Sequence, residues 1–254
     1  MLLAADVGNT QTALGLYRDD ELVDSFRLAT DPTRTGDELG VTLAALLDLD
    51  SVDGICLSTT VPALQREWER VAERWLGAPL LVVGPGTRTG IAIRYDDPRE
   101  VGPDRIVNAV AASERYGAPC IVVDFGTSTN FDIVAATGTD GEGEYVGGVL
   151  APGIEISMEA LFSRAARLVK VDFAAPASVI GKTTVGGLQS GLVYGFAGQV
   201  DGIVGRIRAE LGVEAPTVAT GGLADLIAPH AATLDRVDPY LTLDGLRLVW
   251  ARNH

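Results

Sequence analysis

The sequence predicts a duplicated α/β fold, and three observations predict it. The first is a pair of acidic turns: Leu3-Ala4-Ala5-Asp6-Val7-Gly8-Asn9-Thr10 and Ile121-Val122-Val123-Asp124-Phe125-Gly126-Thr127-Ser128-Thr129-Asn130. The carboxylates at 6 and 124 lie 118 positions apart in a chain of 254 residues, close to half its length. The second is that three strand-like segments followed by alternating helices and strands occur twice, the ordering of an α/β duplication. The third is a Gly221-Gly222 corner between an apolar strand and a helix. Each half then offers strand tips to one shared ligand, and the residue types suggest a metal-bound nucleotide.

In chain order, residues 2–7, 12–17 and 22–29 read as an antiparallel meander broken by the Gly8-Asn9-Thr10 and Arg18-Asp19-Asp20-Glu21 turns. A helix is expected over 36–48, where Leu39, Leu43, Leu46 and Leu47 recur at helical spacing, followed by a strand at 53–58. Pro62 opens a helix to Leu76 carrying Trp68, Val71, Ala72 and Trp75, and Leu80–Val83 is a strand. In the second half, strands are expected at Cys120–Asp124, Asn130–Ala135 and Tyr145–Leu150, the last after a Thr137–Gly143 turn. Helices fit 153–168 and 184–212, then strand Thr217–Thr220 and helix 223–230. Two packed domains with a cleft between them are expected, 1–117 and 118–254, since Arg115-Tyr116-Gly117-Ala118-Pro119 is a soft boundary and no low-complexity linker separates the halves.

Composition limits the function classes. With 47% apolar and 21% charged residues, the chain reads as a globular protein. No stretch approaches the roughly 18 apolar residues of a membrane span. Asp6 interrupts the apolar start, so no secretory signal and a cytoplasmic location are expected. The net charge of −14, from 34 acidic and 20 basic residues, opposes nonspecific nucleic-acid binding. Cys56 and Cys120 sit in apolar runs and read as buried thiols, and His230 and His254 are the only histidines, which argues against a His-based metal site or a Ser-His-Asp triad.

Asp6 would stand at the tip of the first strand. It would repel phosphate directly, so its role is to hold Mg²⁺ through water, while Gly8, Asn9 and Thr10 approach the phosphates. A lone Asp-x-Gly is more often a hairpin turn; two matching copies favour the nucleotide. In the second copy Asp124 could meet a metal or phosphate, and Thr127 offers a hydroxyl and an N–H. Between the copies lies a polar cluster running from Tyr95 to Asn108, in which Gly102 and Pro103 prepare a helix start and Asp104, Arg105 and Asn108 share one exposed end. Asp104 could cap that helix, or it could orient an attacking alcohol and accept its proton.

Together these motifs resemble the type III pantothenate kinases of bacteria, members of the acetate and sugar kinase/Hsp70/actin superfamily. Further matches are Gly147-Gly148 with Ala151-Pro152-Gly153-Ile154, Val179-Ile180-Gly181-Lys182, Gln189-Ser190-Gly191, Gly198-Gln199-Val200-Asp201-Gly202, Ala219-Thr220-Gly221-Gly222-Leu223 and Leu241-Thr242-Leu243-Asp244-Gly245-Leu246. The resemblance covers nearly the whole chain. It implies a duplicated ribonuclease H-like (actin-like ATPase) fold and ATP-dependent phosphorylation of pantothenate to 4′-phosphopantothenate, the first step of coenzyme A synthesis. It also implies a homodimer, Mg²⁺, and a monovalent cation, K⁺ or NH₄⁺.

Carried over by position, the first ATP loop is Asp6, Val7, Gly8, Asn9, Thr10, Gln11, Thr12 and Ala13, with Thr127 a second ATP contact. Asp104 is the proton acceptor, and Gly102, Pro103, Asp104 and Arg105 contact pantothenate together with Tyr95 and Thr184. Asp124 is the K⁺ ligand. The chain departs from the family pattern at Asn130 (usually Thr), Pro103 (usually Ala or Ser) and Thr183 (commonly Asn). Two alternatives stand beside this reading: another small-molecule kinase of the superfamily, which the Tyr95–Asn108 segment disfavours, and a non-catalytic regulatory factor, which intact Asp6, Asp104, Arg105 and Asp124 disfavour.

Overall fold

A computed structural model describes residues 1–137, 142–164 and 171–254. They form two compact units, Met1–Ala111 with Leu241–His254, and Ala112–Tyr240. The division at 117/118 expected from sequence is linear and does not contain this return of the last segment to the first unit.

In the first unit, β1 (Leu2–Val7), β2 (Gln11–Arg18) and β3 (Glu21–Ala29) form the meander, and β4 (Gly54–Thr59) and β5 (Leu80–Val82) join parallel to β1, in the order β3-β2-β1-β4-β5. Strands alternate their side chains between faces, and one face is closed by α1 (Gly36–Leu46) and α2 (Pro62–Val71). Leu3, Ala5, Val7, Ile55 and Leu57 meet Leu39, Leu43, Leu64 and Trp68 there. Thr35 caps α1 in a full capping box with Glu38. The predicted helix to Leu76 ends its α-helical part at Val71, continues as a π turn over Ala72–Leu76, and stops at Gly77 in the left-handed region.

The opposite face is covered by a helix that sequence periodicity did not reveal, α7 (Leu241–Asn253). Leu243 packs against Gly15 and Trp250 against Gly54, while the Tyr17 hydroxyl donates to Asp244 Oδ1 at 2.8 Å in a buried contact. The strand β6 (Ala92–Ile93) and a 3-10 turn over Pro98–Glu100 lead to α3 (Pro103–Tyr116), whose start agrees with the Gly102-Pro103 signal.

The second unit repeats the plan. The strands β7 (Cys120–Phe125), β8 (Ser128–Thr137) and β9 (Glu142–Pro152) form a meander. To it β10 (Thr217–Thr220) and β11 (Arg236–Val237) add parallel strands, giving β11-β10-β7-β8-β9. The match of strand order and of antiparallel and parallel pairing between units is the duplication read from the paired turns. Ile121, Val123, Phe125 and Phe131 pack on Val200 and Val204 of α5 (Thr184–Leu211) and on Ile227 of α6 (Ala224–Ile227). Helix α4 (Ile154–Arg164) precedes α5; the rest of the helix expected to 168, and most of the Thr137–Gly143 turn, lie outside the described residues.

Candidate active site

The first loop hangs between β1 and β2. Gly8 N donates to Gln11 O at 3.0 Å, and the end of β4 buttresses the turn: Thr60 N donates to Val7 O at 3.0 Å, and the Asn9 amide reaches Thr60 Oγ1 at 3.5 Å. Asn9, Thr10 and Gln11 are exposed; Asp6 and Ala13 are half-buried; Val7 and Thr12 are buried. The roles within 6–13 therefore differ: Val7 packs in the core, and Thr12 Oγ1 pairs with Thr30 Oγ1 at 2.8 Å.

Asp6 projects from the sheet face opposite the α1/α2 core. Its register partner on β4 is Ser58, so the two side chains share that face. Ser58 is fully buried, and its Oγ has no hydrogen-bond partner. A buried hydroxyl without a partner is costly and calls for a polar neighbour. The half-buried carboxylate and this hydroxyl fit a hydrated cation held through water alongside phosphate oxygens. Ser58 is a candidate that the sequence reading missed; its one signal is the change from apolar to hydroxyl residues along Leu57-Ser58-Thr59-Thr60.

The helix α3 presents the second cluster. Gly102 O accepts from Arg105 N at 3.1 Å and Ile106 N at 3.2 Å, so Gly102 occupies the cap position and Pro103 the first helical one. Asp104 lies inside the first turn, which answers the cap question: it is not the cap. A Cβ on residue 102 would collide with Asp104 Oδ1, so glycine there leaves room for the carboxylate. Asp104 is half-buried as a residue, but its Oδ1 is buried and has no hydrogen-bond partner. Burial pushes its carboxyl above the ordinary carboxylate range, against the opposing pull of the Arg105 backbone N–H and guanidinium. Arg105 and Asn108 are themselves buried, so the helix end expected to be exposed is not, because these two side chains turn into the packed side of α3. Tyr95 is half-buried in the segment before the turn that the Asp97–Arg99 pair closes at 2.9 Å. Because α3 packs on α7 (Thr242 Oγ1 to Asn108 Oδ1, 2.8 Å) and α7 lies on the Asp6 face, the first unit brings the Asp6 loop and the Asp104 helix to the same side of its sheet.

In the second unit Asp124 stands opposite Asn130 across β7 and β8, so both side chains share one face. Ser128 Oγ pairs with Asn130 Oδ1 at 2.7 Å; Thr127 is exposed at the turn. Gly221, at φ 91°, brings the corner after β10 against this strand end: a Cβ there would lie 2.6 Å from both Asp124 Oδ1 and the Phe125 carbonyl oxygen. Two oxygens of the kind that hard cations prefer converge on that corner. Among the described residues no group of three or more His, Cys, Asp and Glu gathers as a metal cage. Thr184 is exposed in the first turn of α5, whose cap Thr183 accepts from Gly186 N at 3.0 Å. Two of the three departures from the family pattern thus have local explanations: Thr183 caps a helix much as Asn does, and Pro103 sits where proline is favoured.

The sequence pattern of the type III pantothenate kinases matches residues 2–206. A type III pantothenate kinase of Frankia alni is 55% identical over 254 residues, covering all of both chains. One of Acidothermus cellulolyticus is 56% identical over 258 residues, covering 100% of this chain and 99% of its own. Among solved structures, the activator of the 2-hydroxyisocaproyl-CoA dehydratase from Clostridium difficile, with bound ADPNP, aligns with a TM-score of 0.56 at 12% identity, over 99% of this chain and 94% of that one. The ROK hexokinase from Thermus thermophilus aligns with a TM-score of 0.53 at 13% identity, over 100% and 99%. These likenesses show the duplicated actin-like ATPase fold. With its sequence matched end to end by such relatives, the chain belongs to the type III pantothenate kinase family.

Proposed function

We infer that this chain transfers the γ-phosphoryl group of ATP to the primary hydroxyl of pantothenate, giving 4′-phosphopantothenate and ADP at the start of coenzyme A synthesis. The observation that carries it is the full-length identity with type III pantothenate kinases, and the geometry of Asp104 agrees with the chemistry. In the transfer, the hydroxyl oxygen bonds to the γ-phosphorus, the bond from that phosphorus to the bridging oxygen breaks, and ADP leaves with the electron pair. Phosphoryl transfer asks mainly for positioning and charge neutralisation. Asp104 Oδ1, buried and without a protein partner, is the proposed acceptor of the hydroxyl proton. Arg105, Gly102, Pro103, Tyr95 and Thr184 are proposed to hold pantothenate. Residues 6–13 and Thr127 are proposed to hold ATP.

Asp6, with Ser58 beside it, is the proposed seat of Mg²⁺, and Asp124 that of K⁺ or NH₄⁺; when bound, these ions neutralise phosphate charge. The chain is further proposed to work as a homodimer in the cytoplasm. Among the described residues no helix is long and apolar enough to cross a membrane. A coupled ADP-release assay with ATP, Mg²⁺ and pantothenate, with and without K⁺, tests the reading. Pantothenate-dependent ADP release is expected; release that ignores pantothenate, or none at all, would count against pantothenate as the acceptor.

A further inference from the structure

The C-terminal helix makes two contacts with α3 just behind Asp104. Thr242 Oγ1 donates to Asn108 Oδ1 at 2.8 Å, and Asn108 is fully buried. Three residues on, and so on the same side of α7, Gly245 meets the backbone carbonyl of Val107 so closely that any Cβ would strike it. Two neighbouring residues of α3 are thereby located by two residues of one α7 face. The helix α7 is itself anchored to the sheet by the buried Tyr17–Asp244 hydrogen bond and by Leu241, Leu243 and Leu246, all 4% exposed or less. Asn108 lies one helical turn from Asp104 on the same face of α3, about 6 Å along the axis. Rotation of α3 about its axis would swing the Asp104 carboxylate, and the contact at 108 opposes that rotation.

We propose that Thr242, outside the segment matched by the family pattern, is a positioning residue for the reaction: its hydroxyl sets Asn108, and through it the first turn of α3 and the aim of Asp104. This rests on the kinase reading for its catalytic consequence, and on the hydrogen bond alone for its structural one. The Thr242 hydroxyl donates its proton to the buried Asn108 oxygen from the α7 side. Valine at 242 would keep the branched shape and remove this donor to a buried amide oxygen.

The test compares the wild-type chain with Thr242→Val, Thr242→Ala and Thr242→Ser. The hydroxyl-free variants should lose about tenfold in kcat, as misplacement at the reacting centre costs rate, with KM for ATP changed by less than about twofold. Thr242→Ser should restore kcat, which a packing role of the methyl group would not allow. Hydrogen-exchange mass spectrometry supplies a readout free of activity: amides of residues 104–111 should exchange faster in Thr242→Val or Thr242→Ala and at the wild-type rate in Thr242→Ser. Folded hydroxyl-free variants with wild-type kcat and wild-type exchange would overturn the proposal, as would a serine variant as impaired as the valine one. Loss of pantothenate dependence in the wild-type chain would overturn the kinase reading instead, and the exchange comparison would still decide the Thr242 contact. Since alanine removes the hydroxyl without a bulky replacement, it keeps the test open if the valine chain does not fold.

Discussion

Asp104 is held where its charge is disfavoured, and that has opposite consequences for stability and for catalysis. Its carboxyl titrates above the ordinary value of 3.8 because burial outweighs the pull of Arg105. Between 3.8 and that raised value the folded chain keeps a proton that the unfolded chain has shed, so stability falls as pH rises through this window. Above it the full cost of the buried carboxylate is present. Asp104→Asn is therefore expected to raise the urea midpoint at pH 7, with the gap narrowing as pH falls toward 3.8. The same variant should lower kcat by about 10²- to 10⁴-fold, the usual worth of a general base. A variant that folds and turns over at the wild-type rate would remove Asp104 from the proton-acceptor role. Wild-type kcat/KM should in turn fall at acid pH as Asp104 takes up its proton, with a midpoint above 3.8. Cys56 and Cys120 illustrate burial without chemistry: both thiols are fully buried and are pushed up to about 12. Ellman's reagent at pH 8 should find neither in the native chain and both after denaturation.

At the scale of elements, α7 closes one face of the first sheet and also bears on α3. Leu246 is fully buried within it, and Leu246→Ala should cost about 2–5 kcal/mol, read from urea unfolding. That is a large fraction of the roughly 5–15 kcal/mol that holds a typical domain together. The strands of both meanders were legible in the sequence because apolar runs ended at Gly, Asn and Asp turns. α1 was legible from its leucine spacing and α3 from its Gly102-Pro103 start. α7 was not: Leu241, Leu243, Leu246, Leu248, Val249 and Trp250 satisfy neither a clean helical nor a clean strand period, and Gly245 interrupts them. Its helical state follows from what it packs against, namely Gly15 and Gly54 of the sheet and Val107 of α3. The two-residue strands β6 and β11 are too short to carry a period, and β11 is placed by its pairing with β10.

For the whole molecule, the proposed cation and the proposed homodimer each make a prediction. If Asp124 and the Phe125 carbonyl help to hold K⁺, replacing K⁺ by choline at constant ionic strength should lower kcat/KM, and Asp124→Asn should abolish the K⁺ response. Equal activity in the two salts would remove the cation from the reaction. A homodimer should appear in sedimentation velocity at micromolar concentration; Leu150, 63% exposed, and Ile180, 78% exposed, are apolar surface of the sort an interface covers. The sequence by itself determined the duplication, the paired carboxylates at 6 and 124, the helix start at Gly102-Pro103 and the family, because each is written in local residue order and spacing. Only the tertiary structure decided that Asp104 is not a cap but a buried carboxylate with one unpartnered oxygen, that Ser58 stands beside Asp6, and that α7 locates α3 through Thr242 and Gly245. Those depend on strand register, burial and contacts between residues as far apart as 108 and 242, which no local pattern encodes.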